Sequence, residues 1–318
     1  TEVFVAEFMT LVKTTPPEWN ATSILGMVII RDWDKHTIQI SLAGKIAELG
    51  EKLGMANRVR KEVPIPSSGY IVHDYQFDEM GEKESALFLL EDDIVLYMQI
   101  VGSLIWISGV RNDINYGLMY LTWFTKKPRV HHLVMAYYMV SYLYYSKDLP
   151  LVLGGTSDFV LEVYSDSSWG TGPKGRSICA VLARLGEGAA CITSKATASL
   201  STVRMSSFES ELEAVTLAVK TLKRLVNVLE ELGFDLAAKP KLFNDNLAMI
   251  KFVKGEGVAK GVRHMELRMW YTREQYALGS YELEYMKGTI LPADKITKPQ
   301  TKEDHHAFRF FSLGLGLL

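Results

Sequence analysis

Cysteine is nearly absent: Cys179 and Cys191 are the only two in 318 residues. A disulfide scaffold and a Cys-rich zinc site are therefore excluded, and two free thiols suit a reducing compartment. A strong charge of either sign is missing too, since 35 Lys and Arg face 37 Asp and Glu, a formal net charge of −2. Residues 1–150 carry 14 basic and 18 acidic groups and residues 151–318 carry 21 and 19, so the halves stand at −4 and +2. Neither has the basic excess of a dedicated nucleic-acid binder, and non-specific attraction to a polyanion is expected to be modest. The longest apolar stretch, Leu133 to Tyr145, is too short for a bilayer, which needs about 20 residues. Its tyrosines, among them Tyr137, Tyr138, Tyr142 and Tyr144, make it amphipathic. The N-terminus shows no basic region followed by an apolar run, so no secretory signal is read, no membrane partner is expected and the expected location is intracellular, nuclear or cytoplasmic. The chain starts at Thr1, which we read as a processed or trimmed product.

What is present is ordinary globular composition, with 48% hydrophobic and 23% charged residues. Disorder and low-complexity classes are excluded on that ground. The length suggests about two domains of roughly 150 residues, and it allows a sizeable core. Residues 24–30 and 37–41 read as a β-hairpin around a polar turn, and 42–54 as a helix stopped by Gly54. The segment 61–90 is punctuated by Pro64, Pro66 and Gly69 and reads as loop. Three helices are expected over 92–108, 112–125 and 130–146. Around Pro150, Gly154 and Gly155 the texture changes and a linker or turn is expected. Strands are then expected over 158–164, 177–185 and 189–195, with a long amphipathic helix over 208–232. A strand at 240–245, helices at 246–254 and 264–278 and a strand at 281–287 follow, before a helical or irregular tail. The order is βββ-α-β-α-α-β-α.

Acidic groups fall at the ends of several of these elements. Asp166 follows the first strand of the second half, Glu211 is one turn into the long helix, Asp245 ends the fourth strand and Asp294 precedes the last helix. A single Asp at a strand end is by default a cap or turn residue. If the mixed sheet forms with the long helix packed on it, the four can converge at one edge. Clustered carboxylates repel and call for cations; hard oxygen ligands select Mg²⁺ or Mn²⁺. Two such ions about 3.5–4 Å apart can activate a water and stabilise a leaving oxygen in phosphodiester hydrolysis.

The pieces Tyr164-Ser165-Asp166-Ser167-Ser168-Trp169, Arg176-Ser177, Ser194-Lys195 and Leu200-Ser201 stand in a fixed order with Ser206-Ser207-Phe208-Glu209-Ser210-Glu211 and Asn244-Asp245-Asn246. Arg263-His264-Met265-Glu266-Leu267-Arg268, Arg273-Glu274 and Ala293-Asp294-Lys295-Ile296-Thr297-Lys298-Pro299 complete the series. Taken together they resemble the C-terminal part of a copia-type (Pseudoviridae) retrotransposon polyprotein, namely the end of its reverse transcriptase and its RNase H domain. The RNase H likeness covers Val163 to Pro299. Upstream, Leu25-Gly26 to Asp32, Lys52-Leu53-Gly54-Met55, Val101-Gly102-Ser103-Leu104-Ile105, Arg111-Asn112-Asp113-Ile114, Lys127-Pro128 and His131 resemble the palm end, thumb and connection of the same polyprotein.

The resemblance implies an α/β fold: an RNase H-like mixed five-stranded sheet with flanking helices at 155–300. A mostly helical thumb and connection remnant with a β-hairpin would precede it at 1–150, and a C-terminal tail would follow at 301–318. It implies that Asp166, Glu211, Asp245 and Asp294 are catalytic and hold two Mg²⁺ ions, with Mn²⁺ able to substitute. Glu209 fits the motif as well, but the family's catalytic position is the second glutamate. The implied activity is endonucleolytic hydrolysis of RNA in RNA–DNA hybrids, leaving a 3′-hydroxyl and a 5′-phosphate. The Tyr-x-Asp-Asp polymerase motif is not in the chain, and Glu91-Asp92-Asp93 has the wrong surroundings to replace it, so no DNA synthesis by this chain alone is expected. Two positions depart from the family. The helix at 130–146, which usually carries Lys and Arg, holds Tyr137, Tyr138, Ser141 and Tyr144, and Trp270 stands at a His-type position.

Several residues keep two readings. Ser167, Ser206, Ser207 and Asn246 are candidate substrate contacts, the last three with ribose 2′-hydroxyls, which distinguish RNA from DNA; Ser207 could equally cap the long helix. Lys195 and Arg204 could touch backbone phosphates or be solvated strand-end charges. His264 could bind substrate near the metals or be a surface histidine. The tyrosines of 137–145 could stack on bases, although their helical spacing favours packing against protein. Two other functions remain open. The chain could be a host-adopted scaffold that binds nucleic acid or a host protein without cutting. It could also be a structural half of a larger reverse transcriptase, with that polymerase core as its partner.

Overall fold

The computed structural model describes residues 2–16, 18–66, 88–156, 158–172, 175, 177–188, 206–256 and 266–318, with 191–195 as backbone only. Helix α1 (Glu2–Leu11) opens the chain. Strands β1 (Ser23–Ile24), β2 (Met27–Asp32) and β3 (Thr37–Ser41) follow, and β2 and β3 form the expected hairpin with Ile29 opposite Ile40 and Ile30 opposite Gln39. Helix α2 (Ala43–Lys52) then leads to the helical layer, made of α3 (Glu91–Ile107), α4 (Asn115–Trp123) and α5 (Val130–Tyr145). Their apolar faces meet in one core that includes Tyr97, Ile100, Leu104, Leu121, Met139 and Leu143, all buried. Each such aliphatic side chain contributes about 1.5–3 kcal/mol by leaving water.

The residues expected as a linker do something else. Strand β4 (Leu151–Gly154) returns to the hairpin and pairs antiparallel with β3, Leu151 opposite Ile40 and Gly154 opposite Thr37. Gly154 has φ +97°, and a Cβ there would sit 2.2 Å from the His36 carbonyl oxygen, so no other residue fits this closure without displacing the turn.

The second sheet has five strands in the order β7-β6-β5-β8-β9, formed by β5 (Leu161–Ser168), β6 (Ile178–Leu185), β7 (Cys191–Lys195), β8 (Lys241–Asn244) and β9 (Glu282–Tyr285). The first three are an antiparallel meander; β8 lies parallel to β5 and β9 parallel to β8. Because β5 sits between β6 and β8, its residues are buried on both faces, and Leu161, Val163, Tyr164, Ser165 and Asp166 are all buried. Helix α6 (Ser207–Glu231) covers one face with Leu212, Val215, Ala218, Val219 and Leu222, which recur at helical spacing. Its N-cap is Ser206, one residue before the expected Ser207, and the Ser206 hydroxyl accepts from the Glu209 N–H at 3.2 Å. Helices α7 (Leu247–Val253) and α8 (Glu266–Ala277) complete the crossover from β8 to β9. This is the mixed five-stranded α/β architecture that the sequence resemblance implied.

The last residues, expected as a helical or irregular tail, form a packed helix. The segment 301–318 contains helix α9 (Lys302–Ser312), with His305, Phe308 and Ser312 buried. Asn112 Nδ2 donates to the Ser312 carbonyl at 3.0 Å and Val152 N–H to the Leu313 carbonyl at 2.9 Å. The segment is thus covered by both halves: Phe308 and Phe311 pack with Tyr164 and Phe243 of the second sheet, and Leu313 joins the helical core.

Candidate metal centre

Strand β5 carries Asp166 to the middle of the sheet, the first turns of α6 carry Glu211, and Asp245 stands immediately after β8. One carboxylate oxygen from each lies within 4.8 Å of the others. Glu209 is buried as well but is not part of this group. Asp294, on the one-turn helix Pro292–Ile296, contributes its charge to the same cluster and pushes both Asp166 and Asp245 upward. Its own Oδ1 is held by the Lys298 ammonium. Three of the four expected carboxylates therefore share one point, and the fourth faces it with a lysine on its arm.

The surrounding hydrogen bonds fix these side chains. Thr297 Oγ1 donates to Asp166 Oδ2 at 2.5 Å. Asn244 Nδ2 donates to Glu211 Oε2 at 3.3 Å and to the Ser165 carbonyl at 3.0 Å, which ties helix α6 to β5 and β8. The Asn244 side-chain oxygen accepts from the Asn246 N–H at 2.8 Å, shaping the turn that presents Asp245. The Ser167 hydroxyl faces Glu211 without closing a hydrogen bond of ordinary geometry. Gly288, in the turn after β9, comes so near that a Cβ would lie 2.6 Å from Asp245 Oδ2.

Burial and mutual repulsion dominate the electrostatics. Burial first, then the charges of Asp294 and Asp245, raise the Asp166 carboxyl to about 6 against the pull of Thr297 and Lys298. Burial and the Asp166 charge push Glu211 to about 8, while Asn244 pulls the other way. Asp245 is raised by burial and by Asp294. A cation would relieve all three shifts at once. The donor set, all carboxylate oxygen, fits a hard divalent ion, so the residues present suit Mg²⁺ or Mn²⁺.

The other expected contacts are distributed unevenly. Asn246 lies beside the cluster, but its Oδ1 caps α7 by accepting from the Met249 N–H at 3.0 Å. Ser206 caps α6 and Ser207 is its first residue. Lys195 ends β7, with its side chain outside the described residues; Arg204 and His264 lie outside them entirely. Of the tyrosines, Tyr142 is buried and Tyr145 donates to the Arg58 carbonyl at 2.9 Å, so both pack against protein. Two residues escaped the sequence reading. Thr297 stands inside the Ala293 to Pro299 motif and could have been found there; Gly288 has no local signal.

Comparison with known proteins supplies the wider frame. No family model matches the chain. The Pol polyprotein from transposon RE2 of Arabidopsis thaliana is 26% identical over 70% of this chain, and that from transposon RE1 is 25% identical over the same share. The transposon Ty5-1 protein of Saccharomyces cerevisiae is 37% identical over 24% of the chain and 26% of its own length. The homologues are retrovirus-related Pol polyproteins of copia-type transposons. The chain spans about 15% of the length of the two Arabidopsis Pol polyproteins. Among solved structures, the N-terminal RNase H domain of a Mycobacterium tuberculosis protein, fused to maltose-binding protein, overlaps 47% of this chain and 96% of its own. The sequence identity is 10% and the TM-score 0.30. Among the described residues no helix is long and apolar enough to cross a membrane.

Proposed function

We propose that this chain is an RNase H-type endoribonuclease that hydrolyses the RNA strand of RNA–DNA hybrids with two Mg²⁺ ions. The observation that supports the reading most is the meeting of Asp166, Glu211 and Asp245 from three separate elements within 4.8 Å. Such a cluster is costly to bury unless a cation joins it. Asp166, Glu211, Asp245 and Asp294 would hold the ions. When bound, they supply the charge that activates a water and stabilises the leaving oxygen.

The chain's own groups do the positioning. Thr297 keeps Asp166 pointed at the cluster and Asn244 orients Glu211. Lys298 holds Asp294 at the rim, where its positive charge also meets an incoming phosphate. Ser206, Ser207 and Asn246 would read ribose hydroxyls along a wide minor groove, Ser167 and His264 would contact the substrate near the metals, and Lys195 would meet the backbone. Residues 1–150 are read as the palm end, thumb and connection of a reverse transcriptase, accompanying the nuclease at about 155–300. A polymerase core or host protein is a possible further partner.

The deciding experiment is cleavage of an RNA strand labelled at one end and annealed to DNA, in Mg²⁺, by the wild-type protein and by Asp245→Asn. Cutting to 3′-hydroxyl and 5′-phosphate ends, abolished by the substitution, is the expected result. A folded wild-type protein that leaves the hybrid intact in both Mg²⁺ and Mn²⁺ would overturn the nuclease and favour the non-cutting scaffold.

A further inference from the structure

An open cavity of ≈380 Å³ lies at the seam between the two halves, and Arg60, Lys61, Glu62, Tyr138, Gln300 and Lys302 are among its walls. Three cations face one carboxylate there. Lys302 Nζ is 2.7 Å from Glu62 Oε2, so that pair is locally neutral and the charge of Arg60 and Lys61 is left over. Lys61 and the neighbouring Arg58 are not loose. Lys61 Nζ lies 4.8 Å above the Tyr138 ring and the Arg58 guanidinium 4.3 Å above Tyr137. The Tyr145 hydroxyl pins the Arg58 carbonyl from the same helix. Helix α5, which carries no Lys or Arg, thus displays the positive charge of the neighbouring segment on its tyrosines.

We infer that this cavity is a phosphate-binding subsite for a nucleic-acid backbone, shared by the helical half and the segment that follows the carboxylates. A guanidinium and an ammonium among the walls of one cavity suit the oxygens of a phosphodiester. The volume is that of roughly a dozen waters at about 30 Å³ each, room for a phosphate with its sugar. Position supports the same ligand. Lys298 touches Asp294, and Lys302 is only four residues further on. Their Cα atoms are thus at most about 14 Å apart, some four steps of 3.4 Å along a duplex strand. One strand can therefore lie on the carboxylates and enter the cavity.

The inference rests on the nucleic-acid reading above, and the test separates the two. Binding of a fluorescein-labelled RNA–DNA hybrid is measured against salt in the full chain carrying Asp245→Asn, with and without Arg60→Gln plus Lys61→Gln. The double substitution should weaken binding at least fivefold and flatten the log–log salt slope by about two, near 0.9 per lost phosphate contact. An unchanged slope and affinity, or a parent that binds no hybrid, overturns the inference. Inorganic phosphate serves as competitor: millimolar displacement of hybrid abolished by the double substitution would reassign the cavity to a free anion and also overturn it. Cleavage by the chain with Asp245 intact is scored separately. A lost slope without cleavage keeps the subsite and removes the nuclease, whereas cleavage with an unaltered slope does the reverse.

Discussion

Two of the places where this molecule buries charge are built on opposite plans. In the helical half, Arg111 and Asp113 are fully buried and form a bidentate pair, Nε to Oδ1 at 2.9 Å and Nη2 to Oδ2 at 2.8 Å. Ser146 takes the remaining guanidinium donors and the Tyr142 hydroxyl donates to Asp113. Burial alone would raise the Asp113 carboxyl, but the Arg111 guanidinium outweighs it and holds the group below the usual range. Among the described residues the Asp166, Glu211 and Asp245 cluster has no such partner; Lys298 reaches only its rim, and burial drives its carboxyls upward. The first arrangement is complete as it stands and serves the fold. The second is short of positive charge at its centre, which suits the metal site proposed above.

Four measurements would break or sharpen this contrast. The largest effect is expected from Asp166→Asn, which should lower hybrid cleavage by about 10³-fold or more, some 4 kcal/mol, yet raise the melting temperature of the protein in EDTA. Equal loss of both would mean that the cluster is structural. Arg111→Met should instead cost about 3–5 kcal/mol in urea unfolding, because it strands a buried Asp113. A near-neutral result would show that the helical cluster is not what binds α5 to the Arg111–Asp113 turn. Gly288→Ala should reduce cleavage some tenfold, through displacement of Asp245, while unfolding shifts little; full activity would refute that close approach.

The last contrast is in pH dependence, where the two effects have opposite signs. Glu211 is raised from 4.5 to about 8 in the folded chain, so its contribution is complete below pH 4.5 and is lost as pH rises through 8. His305 is lowered from 6.5 to about 4, chiefly by burial, so its contribution is present above pH 6.5 and is lost as pH falls through 4. Thermal unfolding in EDTA should show each slope, up to about 1.4 kcal/mol per pH unit per group. Glu211→Gln should flatten the first and His305→Gln the second; a variant that flattens neither would refute its own half of the contrast.

Much of the second half was legible because its cues are local. The period of α6, the alternation of β9 and the apolar β5 and β6 each announce their element within one window. Asp245 could be named because it ends such an element and Glu211 because it lies one turn into one; Asp166, expected just after its strand, lies inside β5, whose ladder runs on to Ser168. What was not legible depends on distant partners. Helix α9 looked like a tail because His305 is buried against Tyr142, 163 positions away, with Nε2 2.8 Å from its hydroxyl. Strand β4 looked like a linker because its partner, β3, lies more than 100 residues earlier. Arg111 and Asp113 were visible as a motif, but nothing local says that both are buried. Asp294 stood out as a fourth carboxylate, while its tie to Lys298 shows only once the turn has formed.

Residues 294–312 touch every feature discussed: Thr297 the carboxylates, Gln300 and Lys302 the cavity, His305 and Ser312 the helical half. That placement sets a schedule. A ribosome adding about 5–20 residues per second makes both sheets before it makes this stretch. A growing chain that already contains Asp166, Glu211 and Asp245 still lacks Asp294 and the threonine that aims Asp166. The full set of four carboxylates is thereby assembled only after both sheets have been made.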